Sequence, residues 1–366
     1  MNRTRCLALL MALAMVFALS ACRSANDPGT TQSPAPTQSP TQPVETAPVD
    51  TPTEAPTEEV SPSPVPTGEE VNLMVLSGPT GIGAAKLLAD SDKGMTKNVY
   101  HYTIAAENSE VVAALTTGEA DIAAVASNVA VNLYNKTDGG VKILALGTLG
   151  VLHIVEGSGG TAVNSVDDLA GKTIWSPGQG ANPEYVLRYI LSENGLDPDE
   201  DVKLVFADAA EITQKLMTGE AEVAMLPVPA ATAAIMKSEG KIRAALDVTE
   251  EWDDLGTGSR LIMTAVVART AFLEEHPEAV AAFLEEYAAS IAYVNENHEE
   301  ASQLIADFGI APSAAIAKQA IPQCNLTFIS GADMAPAING YYEILWQANP
   351  AAVGGALPDD AIYYVP

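Results

Sequence analysis

Two stretches of this chain, LTTGEADIAAV at 115–125 and LMTGEAEVAML at 216–226, are nearly one segment written twice, with six of eleven positions identical. Each reads as the last turn of a helix, a glycine, and a short apolar strand. Gly118 supplies the stop, because a residue without a side chain takes the left-handed conformation that closes helices. One recurrence of such a unit constrains the chain to hold two copies of a larger arrangement. The segments around each copy should then repeat as well.

They do. In the first copy VNLMVLS (71–77) is strand-like, GPTGIG is a loop, and a helix forms around AAKLLAD. NVYHYTIAA is a strand, SEVVAALTTG a helix, ADIAAVA a strand, NVAVNLYN a short helix and VKILALG a strand. In the second copy KTIWSP, GQGAN and PEYVLRYILSENG give strand, loop and helix. VKLVFA is a strand, and AEITQKLMTG is a helix begun by Asp208 with Glu211 three residues on, a capping-box pattern. EVAML, PAATAAIMK and KIRAALD complete the series in the same order. Short apolar strands alternating with amphipathic helices define an α/β chain.

Two apolar stretches, GTLGVLHIVEG (147–157) and RLIMTAVVA (260–268), join the copies. The expected fold is therefore two similar α/β lobes with a hinge of two crossing strands and C-terminal helices on the first lobe. Lobe 1 comprises 71–152 and 262–366, and lobe 2 comprises 153–261. The tail ANPAAVGGALPDDAIYYVP is expected to lie ordered on lobe 1. A hinge between lobes makes a cleft, and open α/β sheets bind ligands beyond the C-terminal ends of their strands.

The N-terminal stretch, residues 1–21, carries Arg3 and Arg5 and then a 16-residue apolar run from Cys6 to Ala21. That run is shorter than the roughly 20 residues that span a bilayer, so it reads as a secretory signal peptide. Its end, Leu19-Ser20-Ala21-Cys22, resembles the lipobox of bacterial lipoproteins. The resemblance implies cleavage before Cys22 and lipid on its sulfur, with the protein anchored to the extracytoplasmic face of a cell membrane. Residues 22–70 are mostly Pro, Thr, Ser and Glu, a tether with too little apolar surface to order itself. Its reach lies between a few nanometres and roughly 15 nm.

With Cys6 and Cys22 so assigned, Cys324 alone remains in the body, so no internal disulfide holds the fold. Cys324, within IPQCNLTFI, reads as a small buried hydrophobe. The formal charge of −29, more negative still without Arg3 and Arg5, repels nucleic acid. The chain contains no G-x-S-x-G, H-E-x-x-H or paired-cysteine pattern, and GPTGIGAAK lacks the Gly-Lys-Ser/Thr end of a P-loop. No cofactor, metal or catalytic residue is expected.

The ordered series of motifs resembles type II solute-binding proteins of bacterial ABC importers, in the branch serving nitrate, sulfonates, taurine and thiamine-pyrimidine precursors. The matching residues are the strand–SGPTG–helix near 77, L-x-x-G-E-A-D-I-A at 115–123, SVDDLAGKTI at 165–174, the second G-E-A-E-V-A, and FLEEHPEAVAAFLEEY at 272–287. The resemblance covers 71–366. It implies capture of a small-molecule solute between lobes and delivery to an ABC permease, by a monomer. It also permits an enzyme, since certain dehydratases of chorismate-derived compounds and a pyrimidine synthase share the architecture. The synthase's cysteine-rich motif is absent here. A solute receptor reporting to a membrane sensor is a third reading.

Within such a cleft the first strand of each lobe ends in a small loop feeding a helix. These loops give the candidates Ser77, Gly78, Pro79, Thr80 and Gly81 in lobe 1, and Ser176, Gln179, Gly180 and Asn182 in lobe 2. Helix N-termini present unpaired N–H groups to ligands. The loops after the third strands add Ser127, Asn128 and Pro227; Ser127 and Asn128 either donate to a ligand or cap the following helix. Trp175, Trp252, Tyr185 and His153 are each open between lining the cleft and filling core. None of these loops contains Lys or Arg, and Arg260 at the second crossing is the nearby cation. A neutral or weakly charged solute, or a monoanion held by backbone groups, is therefore favoured over a dianion.

Overall fold

In a computed structural model, residues 68–366 are described. The stretches read from sequence as signal peptide, lipidated Cys22 and tether fall, up to residue 67, outside the described residues. The strands are β1 (Glu70–Leu76), β2 (Val99–Ala105), β3 (Ile122–Ala126), β4 (Val141–Thr148), β5 (Leu152–Glu156), β6 (Thr173–Ser176), β7 (Lys203–Phe206), β8 (Val223–Pro227), β9 (Arg243–Asp247), β10 (Thr264–Arg269) and β11 (Leu326–Ser330). The helices are α1 (Pro79–Asp92), α2 (Asn108–Thr117), α3 (Ser127–Lys136), α4 (Asn182–Glu193), α5 (Ala209–Thr218), α6 (Ala230–Lys237), α7 (Val248–Asp254), α8 (Thr270–Glu275), α9 (Pro277–Glu296), α10 (His298–Asp307), α11 (Ala314–Ala320) and α12 (Met334–Ala348).

The strands form two sheets, ordered β11-β4-β10-β3-β1-β2 and β7-β6-β8-β5-β9. Apart from β11, the orders are the same: second strand, first, third, an antiparallel strand, fourth. The antiparallel member is a crossing strand in each case, β10 between β3 and β4 and β5 between β8 and β9. The doublet thus builds the third strand of each sheet, against which the crossing strand packs. Gly118 and Gly219 close the preceding helices at φ 81° and 80°. Where the doublet varies, Asp121 of the first copy accepts hydrogen bonds from the Asn72 backbone and side chain and pairs with Arg269, tying β1 to the end of β10.

Two elements differ from the sequence reading. Helix α1 begins at Pro79, so only Ser77 and Gly78 separate it from β1, and Gly81 and Gly83 lie within it. Strand β11 pairs antiparallel with β4 as an edge strand that the apolar run around Cys324 did not announce. Cys324 itself is fully buried, and burial pushes its thiol up to about 12. The C-terminal tail packs on α3 and β4, with Asn135 donating to the Val353 and Ala356 carbonyls and Tyr364 N–H donating to Ile143.

Among the large side chains that join the two halves is Trp252 of α7. Its indole is fully buried, donates to the Ser259 carbonyl at 3.0 Å, and packs on Tyr189 of α4 and Tyr341 of α12. One continuous apolar cluster holds residues of both sheets, including Val125 and Ile143 from one, Ile174 and Met225 from the other, and Trp252. No helix among the described residues is long and apolar enough to cross a membrane.

Candidate functional site

A cavity of about 710 Å³ lies where the two sheets turn their strand ends toward each other. Strands β1, β2 and β3 of one sheet, and β6, β7 and β8 of the other, end on it or on the loops that form it. The antiparallel β5 and β10 reach it with their first residues, Leu152 and Thr264. Parallel strands feed helices at their C-terminal ends, so the same topology brings the N-termini of α1, α2, α4 and α5 to the wall. First-turn N–H groups have no partner inside a helix and carry the positive end of its dipole.

The structure divides the residues singled out from sequence. Ser77, Pro79, Thr80, Gln179, Asn182 and Pro227 line this cavity. Gly78 lines an adjoining depression of about 390 Å³, which shares Ser77, Pro79 and Pro227. Gly81, Ser127, Asn128, Ser176 and Gly180 are not on its wall. Gly81 is inside α1, with Leu76 backbone too close for a side chain. Ser127 and Asn128 neither reach the cavity nor cap α3, whose capping position is Ala126. Ser127 is fully buried and donates to the Ile262 carbonyl at 2.6 Å, while Asn128 turns toward the C-terminal tail. Ser176 donates to the neighbouring Pro177 carbonyl, and Gly180 N–H donates to Glu184.

Trp175, Trp252, Tyr185, His153 and Arg260 are likewise off the wall. Trp252 and Tyr185 are core, Trp175 sits under the Lys215 ammonium, and Arg260 is exposed. His153 is buried in β5 opposite Asp247 of β9, with Nδ1 4.0 Å from a carboxylate oxygen. Burial lowers its pKa below the usual value near 6.5, outweighing the attraction of Asp247 and Glu250. A histidine depressed in the folded state resists protonation that the unfolded chain accepts. Stability should therefore fall as pH drops below about 6.5 and stop falling at the lower folded value. Replacing His153 by Gln should flatten that part of the stability–pH profile measured by denaturant titration.

Two wall segments were not anticipated from sequence, Ala106-Glu107-Asn108-Ser109 after β2 and Phe206-Ala207-Asp208-Ala209 after β7. They are equivalent loops in the two copies, and a signal existed: AENSE at 106–110 and ADAAE at 207–211 share Ala, an acid and a final Glu. Both acids occupy the N-capping position of a helix. Asp208 uses its carboxylate there, accepting from Glu211 N–H at 2.8 Å. Glu107 makes no capping bond and is met by the Ser109 hydroxyl at 3.3 Å. Neither Lys nor Arg lines the cavity. Among the described residues no group of three or more His, Cys, Asp or Glu side chains is placed to hold a metal ion.

Two α/β sheets with a shared cavity at their strand ends and reciprocal crossing strands define the architecture of type II solute-binding proteins. The family model described as NMT1/THI5 like matches residues 98–301, more than half of the chain, and the protein belongs to that family. Among solved structures, an ABC transporter from Parabacteroides distasonis matches with a TM-score of 0.67 at 25% identity, covering 81% of this chain and 98% of the other. The periplasmic aliphatic sulphonate binding protein SsuA from Escherichia coli matches with a TM-score of 0.64 at 15% identity, covering 82% and 93%. The periplasmic nitrate-binding protein NrtA from Synechocystis PCC 6803 matches with a TM-score of 0.50 at 17% identity, covering 66% and 67%. Comparison with curated proteins found no match.

Proposed function

We propose that this chain is the solute-binding component of an ABC importer, capturing a small organic solute or anion between two lobes and handing it to a membrane permease. Lobe 1 is 71–152 with 262–366, and lobe 2 is 153–261. The observation that carries the reading is a cavity bordered by the ends of three parallel strands from each sheet. Its volume of about 710 Å³ falls in the range that encloses a small molecule. Two crossings joining the lobes suit closure about a hinge. Solved relatives of the same fold include proteins named for binding a sulphonate and nitrate, which supports capture without turnover.

The same reading places the protein on the extracytoplasmic face of a membrane, as a monomer held by lipid on Cys22 and the tether. Cys22→Ser should move it from the membrane fraction to the soluble fraction; unchanged retention would count against lipidation there. Solute capture is tested by thermal unfolding against sulfonates, nitrate, bicarbonate, pyrimidines and aromatic acids. A ligand at a hundred times its dissociation constant adds about 2.7 kcal/mol, a shift of several degrees. Chemical conversion of the shifting compound would contradict the reading and favour an enzyme.

A further inference from the structure

The depression of about 390 Å³ and the main cavity have four wall residues in common, Ser77, Pro79, Ala209 and Pro227. The chemistry of the two spaces differs. The main cavity presents the polar side chains of Glu107, Asn108, Gln179 and Asp208. The depression presents only Gly, Pro, Ala, Val and Ile, with the Ser77 hydroxyl as its one polar side-chain group. Its backbone is poor in donors as well. Pro79, Pro227, Pro229 and Pro312 have no N–H, and those of Ser77, Val228, Ala233, Gly309 and Ile310 are bonded to carbonyls. The N–H groups left over on this wall are those of Gly78, Ala209 and Ala230, and Ala209 stands where the two spaces meet.

The depression is built on packed structure. Val228 of the β8–α6 turn and Ile310 of the α10–α11 turn are 1% and 3% exposed and belong to one apolar cluster, so its two sides share a core. Gly78, between the shared residues Ser77 and Pro79, leaves the way between the spaces clear. The first carbon of a side chain at that position would meet no atom within 4 Å, and φ +125° reserves the position for glycine. An apolar group lodged in the depression is removed from water together with the wall it covers.

Resting on the reading of the main cavity as the solute site, we propose that the solute is bipartite, with a polar head in the main cavity and an apolar arm of several carbons that passes Ser77 and Gly78 into the depression. An arm there touches the start of α1 and the 309–312 turn on one side, and the start of α5 and the β8–α6 turn on the other. It therefore bridges the two lobes. Arm length selects among solutes that carry the same head.

The test uses the purified full-length protein and straight-chain C1 to C6 alkyl sulfonates, carboxylates, amides and amines, followed by thermal unfolding and calorimetric titration. In the series whose head binds, affinity should rise about fourfold for each CH2 that enters the depression. The hexyl member should bind at least about a hundredfold tighter than the methyl member. Ala230 lines the depression and not the main cavity, and it opens α6, where a carboxylate suits the helix dipole. Ala230→Glu should keep the parent's unfolding midpoint, weaken the hexyl member about tenfold or more, and narrow the gap between hexyl and methyl members. A series that binds without gaining from chain length overturns the arm and leaves solute capture standing. So does a chain-length gain that Ala230→Glu leaves intact, because the chain then lies elsewhere. Binding in no series overturns the arm as well. Solute capture then stands or falls separately, on whether a compact solute such as nitrate or bicarbonate shifts the midpoint.

Discussion

Ser77→Trp should reduce solute binding by about a hundredfold or more while leaving the unfolding midpoint close to that of the parent protein. Ser77 is the exposed residue between β1 and α1, and it lines both the main cavity and the adjoining depression. An indole there takes up space that a solute must occupy to bury most of its surface. A loss near 3 kcal/mol in binding corresponds to that factor. Position 77 is the right place for the experiment because position 78 is not. Gly78 has φ +125° and ψ −149°, a backbone conformation open essentially to glycine alone. Any side chain at 78 adds about 1–3 kcal/mol of strain, and loss of binding would no longer report on the cavity. Near-normal affinity in a folded Ser77→Trp protein would place the solute elsewhere.

Trp252→Ala should have the largest effect on stability, costing about 3–5 kcal/mol and lowering the midpoint by on the order of 10 °C. The indole is fully buried between Tyr189 and Tyr341, and its N–H is satisfied by the Ser259 carbonyl. Truncation leaves a cavity in the apolar cluster that runs through both halves of the molecule and leaves that carbonyl without its donor. Trp252→Phe keeps most of the volume and should recover a large part of the loss. A small change on Trp252→Ala in thermal unfolding would mean that the halves are held by other contacts.

The order of elements was legible because its signals are local. Glycine at 118 stops a helix, Asp208 starts one, and apolar runs of four to eight residues alternate with helical stripes. The doublet then did what local signals cannot, setting two distant segments in equivalent places. The wall of the cavity was legible only in part. Ser77, Pro79, Gln179 and Asn182 follow from the rule that ligands meet the C-terminal ends of parallel strands. That rule applies equally to β2 and β7, whose loops carry Glu107 and Asp208; their likeness is short and was hidden by the stronger doublet. Ser127 and Asn128 were misplaced for a different reason. Polar residues after a strand are candidates for a ligand or a cap, but the carbonyl of Ile262 and the returning C-terminal tail lie 135 and 224 residues away along the chain and claim both side chains. The tail was expected on lobe 1, but the elements it meets there, α3 and β4, were not readable, and neither was strand β11, because a segment's packing face is set by what it meets and not by its own pattern.

The most direct measurement of the central claim is a crystal structure of the protein with whichever compound raises its unfolding midpoint most. The account predicts electron density for that compound between the two sheets, in contact with Ser77 and Asn182 and bounded by Pro227. Density at any other place on the molecule would contradict it.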